Sequence, residues 1–286
     1  MTLRIDAAIL YEVGQPLMVE TVDLAEPGPE EVLVRMVAAG VCYSDYHIIK
    51  GEWSHPLPAV LGHEGAGVVE KTGANVTRVT QGQGVILNFR ANCGVCHFCV
   101  IGRPVLCDGI PAPRNAMFDG SSRLSKNGTL LHHFIRTACF AEFAVVPESG
   151  AVPVRADMPL DKGCLVGCAG MTGVGSVINT ARSEAGSSVA IIGCGGVGLN
   201  AVQGAVLGGA GQIIAVDVLG NKLEYAREFG ATDVVNGANG DAVEQVMELT
   251  GRGVDYARYI EISGEIGRWC GATALTFNMH CASMLW

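Results

Sequence analysis

Residues 185–216 carry no charged side chain, and a run that long must leave water, either across a bilayer or into a folded core. Its glycines decide between the two. They break the run into a β-like piece, a turn at Gly193-Cys194-Gly195-Gly196-Val197-Gly198, a helix-like piece and a second β-like piece. Parallel strands covered on both faces read as continuous apolar stretches, so a buried strand–helix–strand unit is expected and a membrane partner is not.

The rest of the chain falls into two characters on either side of about Met171. From Ile5 to about Val154, short β-branched runs alternate with Gly, Pro and Asn: Val32–Ala38, Ala66–Lys71, Gly84–Asn88 and Ala141–Val146. These predict a compact, mostly β domain. From about Ala169 strands and helices alternate. A helix over Thr172–Arg182 is followed by a strand at Ser188–Gly193, a helix at Val197–Leu207 and a strand at Gln212–Asp217. A helix at Lys222–Phe229, a strand at Asp233–Val235, a helix at Ala242–Thr250 and a strand opening at Val254 complete the pattern. That rhythm predicts a parallel α/β sheet. With 286 residues and about 150 per domain, two domains are expected, 1–170 and 171–286.

Gly193 to Gly198 fits G-x-G-x-x-G between a strand and a helix. There the first glycine makes the turn, the second admits a pyrophosphate to the backbone, and the helix N-terminus supplies amide donors. Asp217 ends the next strand, where a carboxylate accepts hydrogen bonds from an adenosine ribose. The same charge repels a 2′-phosphate and Val218 offers no cation, so NAD is expected rather than NADP.

Cys93, Cys96, Cys99 and Cys107 crowd one short segment, the pattern of a tetrahedral zinc site. Four ligands leave no open position, so this metal is structural. His97 lies inside the cluster and is superfluous as a ligand. Cys139, Cys164, Cys194, Cys270 and Cys281 lack such spacing and read as small buried apolar residues. A disulfide framework belongs to short secreted chains, and residues 1–13 carry no secretory pattern, so cytosol is the default. The balance of 19 basic and 28 acidic residues, without a basic run, argues against nucleic acid.

Cys42, His63 and Cys168 are far apart in sequence, and each alone reads as a buried thiol or a core histidine. Together with a dinucleotide fold they offer three ligands and one vacant position, which is what a catalytic zinc needs to receive an alcohol oxygen.

On these motifs the chain resembles the zinc-containing alcohol dehydrogenases of the medium-chain dehydrogenase family, from about Ile5 to Ala257. Gly62, His63, Glu64, Gly67, Gly73 and Val76 meet the family's zinc signature, and the four-cysteine spacing agrees with its structural lobe. The resemblance implies an α/β fold: a mostly-β GroES-like catalytic domain followed by a Rossmann domain, a doubly wound parallel sheet. It implies two zincs per chain and NAD as cofactor. Cys42, His63 and Cys168 become the catalytic zinc ligands, with Glu64 behind the metal as an exchanging ligand. Ser44 resembles the hydroxyl that contacts the substrate oxygen, His47 the outer end of a proton relay, and Asp45 the carboxylate that orients the histidine ligand. Lys222 resembles a further ribose contact. The implied reaction carries hydride from a primary alcohol to the nicotinamide, with zinc as Lewis acid.

Asp119-Gly120-Ser121-Ser122-Arg123, Leu131–Glu142 and Gly167-Cys168 are similar to the glutathione-dependent formaldehyde dehydrogenase branch, which adds S-(hydroxymethyl)glutathione as a candidate substrate. Quinone reductases of the same broad family generally lack these metal ligands. Gln83 stands where the family usually has Asp. Beyond Ala257 the expected pattern gives way, so the second domain reads as incomplete, with an atypical tail from about 258. The family homodimerises through C-terminal strands that have no counterpart here. An alternative expectation follows: a truncated or frame-altered member that binds zinc and nucleotide but is impaired in turnover.

Overall fold

The computed structural model describes residues 2–259 and 275–276, and the chain divides into two compact units, Met1–Cys168 and Ala169–Trp286. The division falls just before the boundary expected near Met171. Most of the tail that departs from the family pattern lies outside the described residues, as do Cys270 and Cys281.

The first unit runs β1 (Thr2–Leu10), β2 (Met18–Ala25), β3 (Glu31–Gly40), α1 (Tyr43–Lys50), β4 (Ala59–Val60), β5 (Glu64–Thr72) and β6 (Gly84–Leu87). After these come α2 (His97–Val100), β7 (Leu124–Lys126), β8 (Thr129–His133), β9 (Phe143–Pro147), β10 (Ala151–Pro153) and α3 (Leu160–Gly163). Strands β1, β2, β7, β8 and β4 close a barrel, and a five-stranded sheet follows the order β10-β6-β5-β3-β9. Period-two alternation turns Ile5, Ala7 and Ile9 of β1 inward, where they pack with Val22, Leu24, Leu124 and Leu131. Each of the Ile, Val and Leu side chains contributes roughly 1.5–3 kcal/mol on full burial. β3 is an interior strand of its sheet, antiparallel to both β5 and β9, and its register sets Gly40 opposite Glu64. That pairing delivers the Gly62-His63-Glu64 triplet to the end of β3, where α1 begins.

His133 ends β8 fully buried, and its Nε2 accepts the Arg123 backbone N–H at 3.2 Å, which leaves the proton on Nδ1 without a partner. Burial, then the Arg123 charge, pushes its pKa down to about 4. Above pH 6.5 neither the folded nor the unfolded form is protonated. Between pH 6.5 and 4 the unfolded chain takes up the proton first, so stability falls with acidification. At about 1.4 kcal/mol per pH unit this removes up to about 3 kcal/mol from His133. Thermal melts from pH 7 to 4 should show that loss, and His133→Gln should flatten it; an equal slope in both proteins would contradict the assignment.

The second unit contains α4 (Ala169–Gly175), β11 (Ser188–Ile192), α5 (Gly196–Leu207), β12 (Gln212–Asp217), α6 (Gly220–Glu228), β13 (Asp233–Asn236), α7 (Ala242–Thr250), β14 (Tyr256–Tyr259) and β15 (Leu275–Thr276). Its sheet is parallel, in the order β13-β12-β11-β14-β15. The charge-free run is thus β11, α5 and β12, and Val189, Ile191, Ile213 and Ala215 are buried in the core. No single helix among the described residues is long and apolar enough to cross a membrane. The strand order reverses at β11, so β12 and β14 flank it and a crevice opens at their C-terminal ends.

One expected helix differs. It starts at Ala169 rather than Thr172, and its second half, Ser176–Ala181, winds as a π-helix ended by Arg182 at φ 52°. Ser176 Oγ donates to the Gly173 carbonyl at 2.7 Å, an alternative to the backbone ladder that widens the turn. Gly173 also lets α4 press on α5, because a Cβ there would lie 2.4 Å from the Val197 carbonyl oxygen.

Candidate metal centres and nucleotide site

The four cysteines of the 93–107 segment converge around the short α2. Their sulfurs lie 3.5 Å apart for Cys93–Cys107, 3.5 Å for Cys96–Cys99 and 3.9 Å for Cys96–Cys107. A zinc tetrahedron with Zn–S bonds of about 2.3 Å has edges of about 3.8 Å, so the donor set fits that metal and is far from disulfide bonding. All the cysteines of the described residues are free. Backbone amides arm the thiols. Those of Cys99, Asp108 and Gly109 help pull Cys96 down to about 6, whereas burial holds Cys99 up at about 12. His97 is exposed, edge-on to Phe98 at 5.5 Å, and stands outside the ligand group.

The second donor group is assembled from three places. Cys42 caps α1, His63 directly precedes β5, Glu64 opens it, and Cys168 ends the unit; their ligand atoms all lie within 4.8 Å of one another. Glu64 thereby joins as a fourth donor rather than standing apart from the other three. His63 has no exposure, and its two ring nitrogens are differentiated. Nδ1 lies 3.3–3.4 Å from the Asp45 carboxylate, while Nε2 is buried and has no hydrogen-bond partner. An orphaned nitrogen beside two thiols and a carboxylate suits a divalent cation such as zinc.

Asp45 ties the group together. Its Oδ2 accepts the Cys42 backbone N–H at 3.2 Å, a capping contact at the start of α1, and Oδ1 accepts the Gly62 N–H at 2.9 Å. Gly62 itself sits at φ 91°, and a Cβ there would strike the Phe140 ring at 2.5 Å. Thr137 and Cys139 both donate to its carbonyl, at 2.8 and 3.1 Å, so the turn that presents His63 is fixed from both sides. Phe89 and Phe134 meet the imidazole edge-on at 5.5 and 5.3 Å.

The shared protons reveal how strongly these groups interact. The hydrogen bond from Cys168 draws the Cys42 thiol well below its ordinary value, and the same bond raises Cys168. Burial alone would depress His63, but the Asp45 carboxylate and the Cys42 thiolate outweigh it and raise the imidazole. Burial and the Cys42 charge push Glu64 up to about 7. Asp45→Asn should leave the ligand atoms in place but weaken metal affinity about 10–100-fold, because the amide no longer fixes the tautomer with a full charge. Competition with a chelator measures this, and unchanged affinity would remove Asp45 from its positioning role.

Ser44 Oγ lies 3.6 Å from Cys42 Sγ and is buried. His47 follows one turn later on α1, stacked on Trp53 at 4.5 Å, edge-on to Tyr43 at 4.7 Å, and paired through Nδ1 with Glu52. No motif in the sequence marks Glu52, although it stands only five residues after His47. The Asp119–Arg123 stretch, just before barrel strand β7, ties to the start of β3 in the five-stranded sheet, because Arg123 grips Glu31 with Nε and Nη2 at 2.7 and 2.8 Å and reaches Asp119 at 2.8 Å. Gln83 accepts the Thr80 N–H through its side-chain carbonyl at 3.2 Å, a turn contact that a neutral amide makes as an aspartate would.

In the second unit Gly193 stands at φ 93° after β11, Gly195 caps α5, and Gly196, Val197 and Gly198 form its first turn. A Cβ on Gly198 would lie 1.8 Å from the Gly193 carbonyl oxygen, so only glycine closes this turn. Asp217 at the end of β12 accepts the Cys194 N–H at 2.7 Å and the Leu219 N–H at 3.0 Å. Lys222 sits half-buried on α6, and its charge acts on the Cys194 thiol, which burial raises to about 12. Glycine turn, carboxylate and lysine thus converge at the strand ends. Cys139, Cys164 and Cys194 are buried core residues.

Two family descriptions match the chain: alcohol dehydrogenase GroES-like domain over residues 28–156, and zinc-binding dehydrogenase over residues 196–267. The second extends past Ala257, where the resemblance in the sequence was expected to end. Among solved structures, an alcohol dehydrogenase zinc-binding domain protein from Burkholderia ambifaria is 39% identical with a TM-score of 0.86, the match covering 91% of this chain and 71% of that one. Benzyl alcohol dehydrogenase from Acinetobacter calcoaceticus is 35% identical with a TM-score of 0.85 and the same coverage. A protein from Sinorhizobium meliloti described as a zinc-binding dehydrogenase and bound to NADP is 31% identical, with a TM-score of 0.72, over 90% of this chain and 70% of that one.

Proposed function

Because this chain belongs to the zinc-containing alcohol dehydrogenases of the medium-chain dehydrogenase family, we propose that it transfers hydride between a primary alcohol and NAD. The observation that carries the proposal is the buried group of Cys42, His63, Glu64 and Cys168, in which His63 Nε2 has no protein partner. Zinc held there supplies Lewis acidity toward an alcohol oxygen, and NAD supplies the hydride acceptor.

The chain's own residues do the rest. Cys42, His63 and Cys168 would hold the metal, with the Glu64 carboxylate as a fourth donor in the group. Asp45 keeps the His63 proton on Nδ1, so that Nε2 offers its lone pair. Ser44, beside Cys42, takes the alcohol proton as it gives up its own hydroxyl proton, and His47, paired with Glu52, is the outer group that passes a proton on toward solvent. In the second unit the amides at the start of α5 would receive the pyrophosphate, and Asp217, with Lys222 beside it, would accept the ribose hydroxyls. Its negative charge disfavours a 2′-phosphate, and Val218 supplies no cation to receive one.

NADH formation with a panel of alcohols tests the reading, and the panel includes benzyl alcohol and formaldehyde with glutathione. Two zincs per chain and an NAD preference of about 100-fold over NADP are expected, with Asp217→Ser cutting that preference at least tenfold. No turnover by the zinc-loaded protein with any alcohol would reject the reading.

A further inference from the structure

Residues 134–140 wrap the turn that presents His63, and their backbone is strained. Ile135, Arg136 and Ala138 hold φ of 52°, 61° and 51°, three of the five non-glycine residues with positive φ among the described residues. A side chain makes that region unfavourable, most of all a β-branched one such as isoleucine. Strain of this kind persists only where the surroundings over-determine it, and it gathers at functional sites. Main-chain hydrogen bonds pin the segment here. Phe134 N–H donates to the Val60 carbonyl at 3.0 Å, Cys139 N–H to that of Gly62 at 3.1 Å, and Phe140 N–H to that of Leu61 at 3.0 Å.

Thr137 stands between the strained residues and is only 2% exposed. Its Oγ1 lies 2.8 Å from the Gly62 carbonyl oxygen and 2.7 Å from that of Phe134, so one hydroxyl proton is shared between two acceptors. Neither acceptor depends on it. The Gly62 carbonyl already receives the Cys139 N–H, and the Phe134 carbonyl receives the Thr137 N–H at 3.1 Å. A hydroxyl that adds a bond to carbonyls already paired contributes alignment rather than satisfaction, and the two carbonyls it joins identify what is aligned. One belongs to the peptide bond that leads into His63. The other belongs to Phe134, whose ring meets the His63 imidazole edge-on at 5.3 Å. Gly62 is held at its other end too, where its N–H donates to the Asp45 carboxylate that faces His63 Nδ1.

We infer that Thr137 is a positioning residue for the buried metal group: its hydroxyl ties the Gly62–His63 peptide to Phe134 and so fixes the direction in which the unpartnered His63 Nε2 offers its lone pair. This rests on the metal-holding role given above to Cys42, His63, Glu64 and Cys168. Groups that stand behind a ligand and set its orientation change metal affinity by about 10–100-fold.

Thr137→Val removes the donor at nearly the same volume, and Thr137→Ser keeps it. Competition with a chelator should show zinc at the buried group held at least about tenfold more weakly in Thr137→Val and near the wild-type affinity in Thr137→Ser. Cadmium NMR gives a readout that a general loss of stability would not move. The resonance of the buried group should shift in Thr137→Val while that of the four-cysteine lobe stays, and Thr137→Ser should leave both in place. With zinc in excess, kcat for an alcohol should fall in Thr137→Val and recover in Thr137→Ser. If no alcohol turns over but affinity and resonance still follow the hydroxyl, the oxidation reading fails while the positioning role stands. A wild-type chain that binds metal at the four-cysteine lobe alone overturns both. Should the valine methyl crowd the carbonyls and prevent folding, Thr137→Ala is read in its place. Unchanged zinc affinity and cadmium resonance in the hydroxyl-free variant, or failure of both hydroxyl-free variants to fold, makes Thr137 a structural contact only and overturns the inference.

Discussion

Cys99→Ser in the four-cysteine lobe is expected to cost the chain one zinc and about 10 °C of Tm. Structural zinc binding contributes about 10–16 kcal/mol, which shared over four ligands is roughly 2.5–4 kcal/mol per thiolate. For a chain of this size each kcal/mol moves Tm by about 2–4 °C. Few alternatives hold the segment. Its short helix α2 buries no side chain, and burial of Cys99 disfavours the thiolate unless a cation is present. Metal analysis with thermal melts decides the matter, because a variant that keeps two zincs and its Tm would show that the sulfurs are close for another reason. The other metal should remain bound, since the two donor groups share no residue.

His63→Ala is expected to have the largest effect on activity, a fall in kcat/KM of at least about 10⁴-fold, which corresponds to about 5.5 kcal/mol. The substitution removes the nitrogen that has no other partner and leaves the Asp45 carboxylate buried beside an empty space. Because that could also weaken folding, Cys168→Ser is the companion variant; it keeps nearly the same volume and replaces a soft thiolate by a hard hydroxyl. Both should lose one zinc while the four-cysteine lobe keeps its own. Ser44→Ala should retain both metals and lose about 10²–10⁴-fold, the range for a proton-transfer group. If Cys168→Ser kept both zincs and near-normal turnover, the group of four would not be the catalytic centre.

Local pattern explains why so much of the second unit was legible in advance. Helix α7 spans the expected Ala242–Thr250, and β11, α5 and β12 follow the expected limits within a residue. Each is a short segment whose apolar period and glycine punctuation act within a few residues. The π-turn of Ser176–Ala181 was not legible, because it depends on Ser176 bonding back to Gly173 and on how closely α4 meets α5. The four-cysteine cluster is equally local, and a span of fifteen residues brings its sulfurs together with little choice.

Cys42, His63 and Cys168 are a different case. Their spacing named the residue types but no distance, and motif resemblance rather than physics joined them. The pairing of Gly40 with Glu64, the contacts of Asp45 and the end of the unit at Cys168 place all of them within reach of one ion.

The amino-acid order by itself determined the elements, the two characters of the chain, the glycine turn and the four-thiol lobe, because those depend on neighbours within a few turns of backbone. Only the tertiary structure decided which nitrogen of His63 stays unpaired and that Glu64 joins the ligand group. Those features rest on strand register and on the burial of charge between distant segments, and neither can be computed from the spacing of residues along a line.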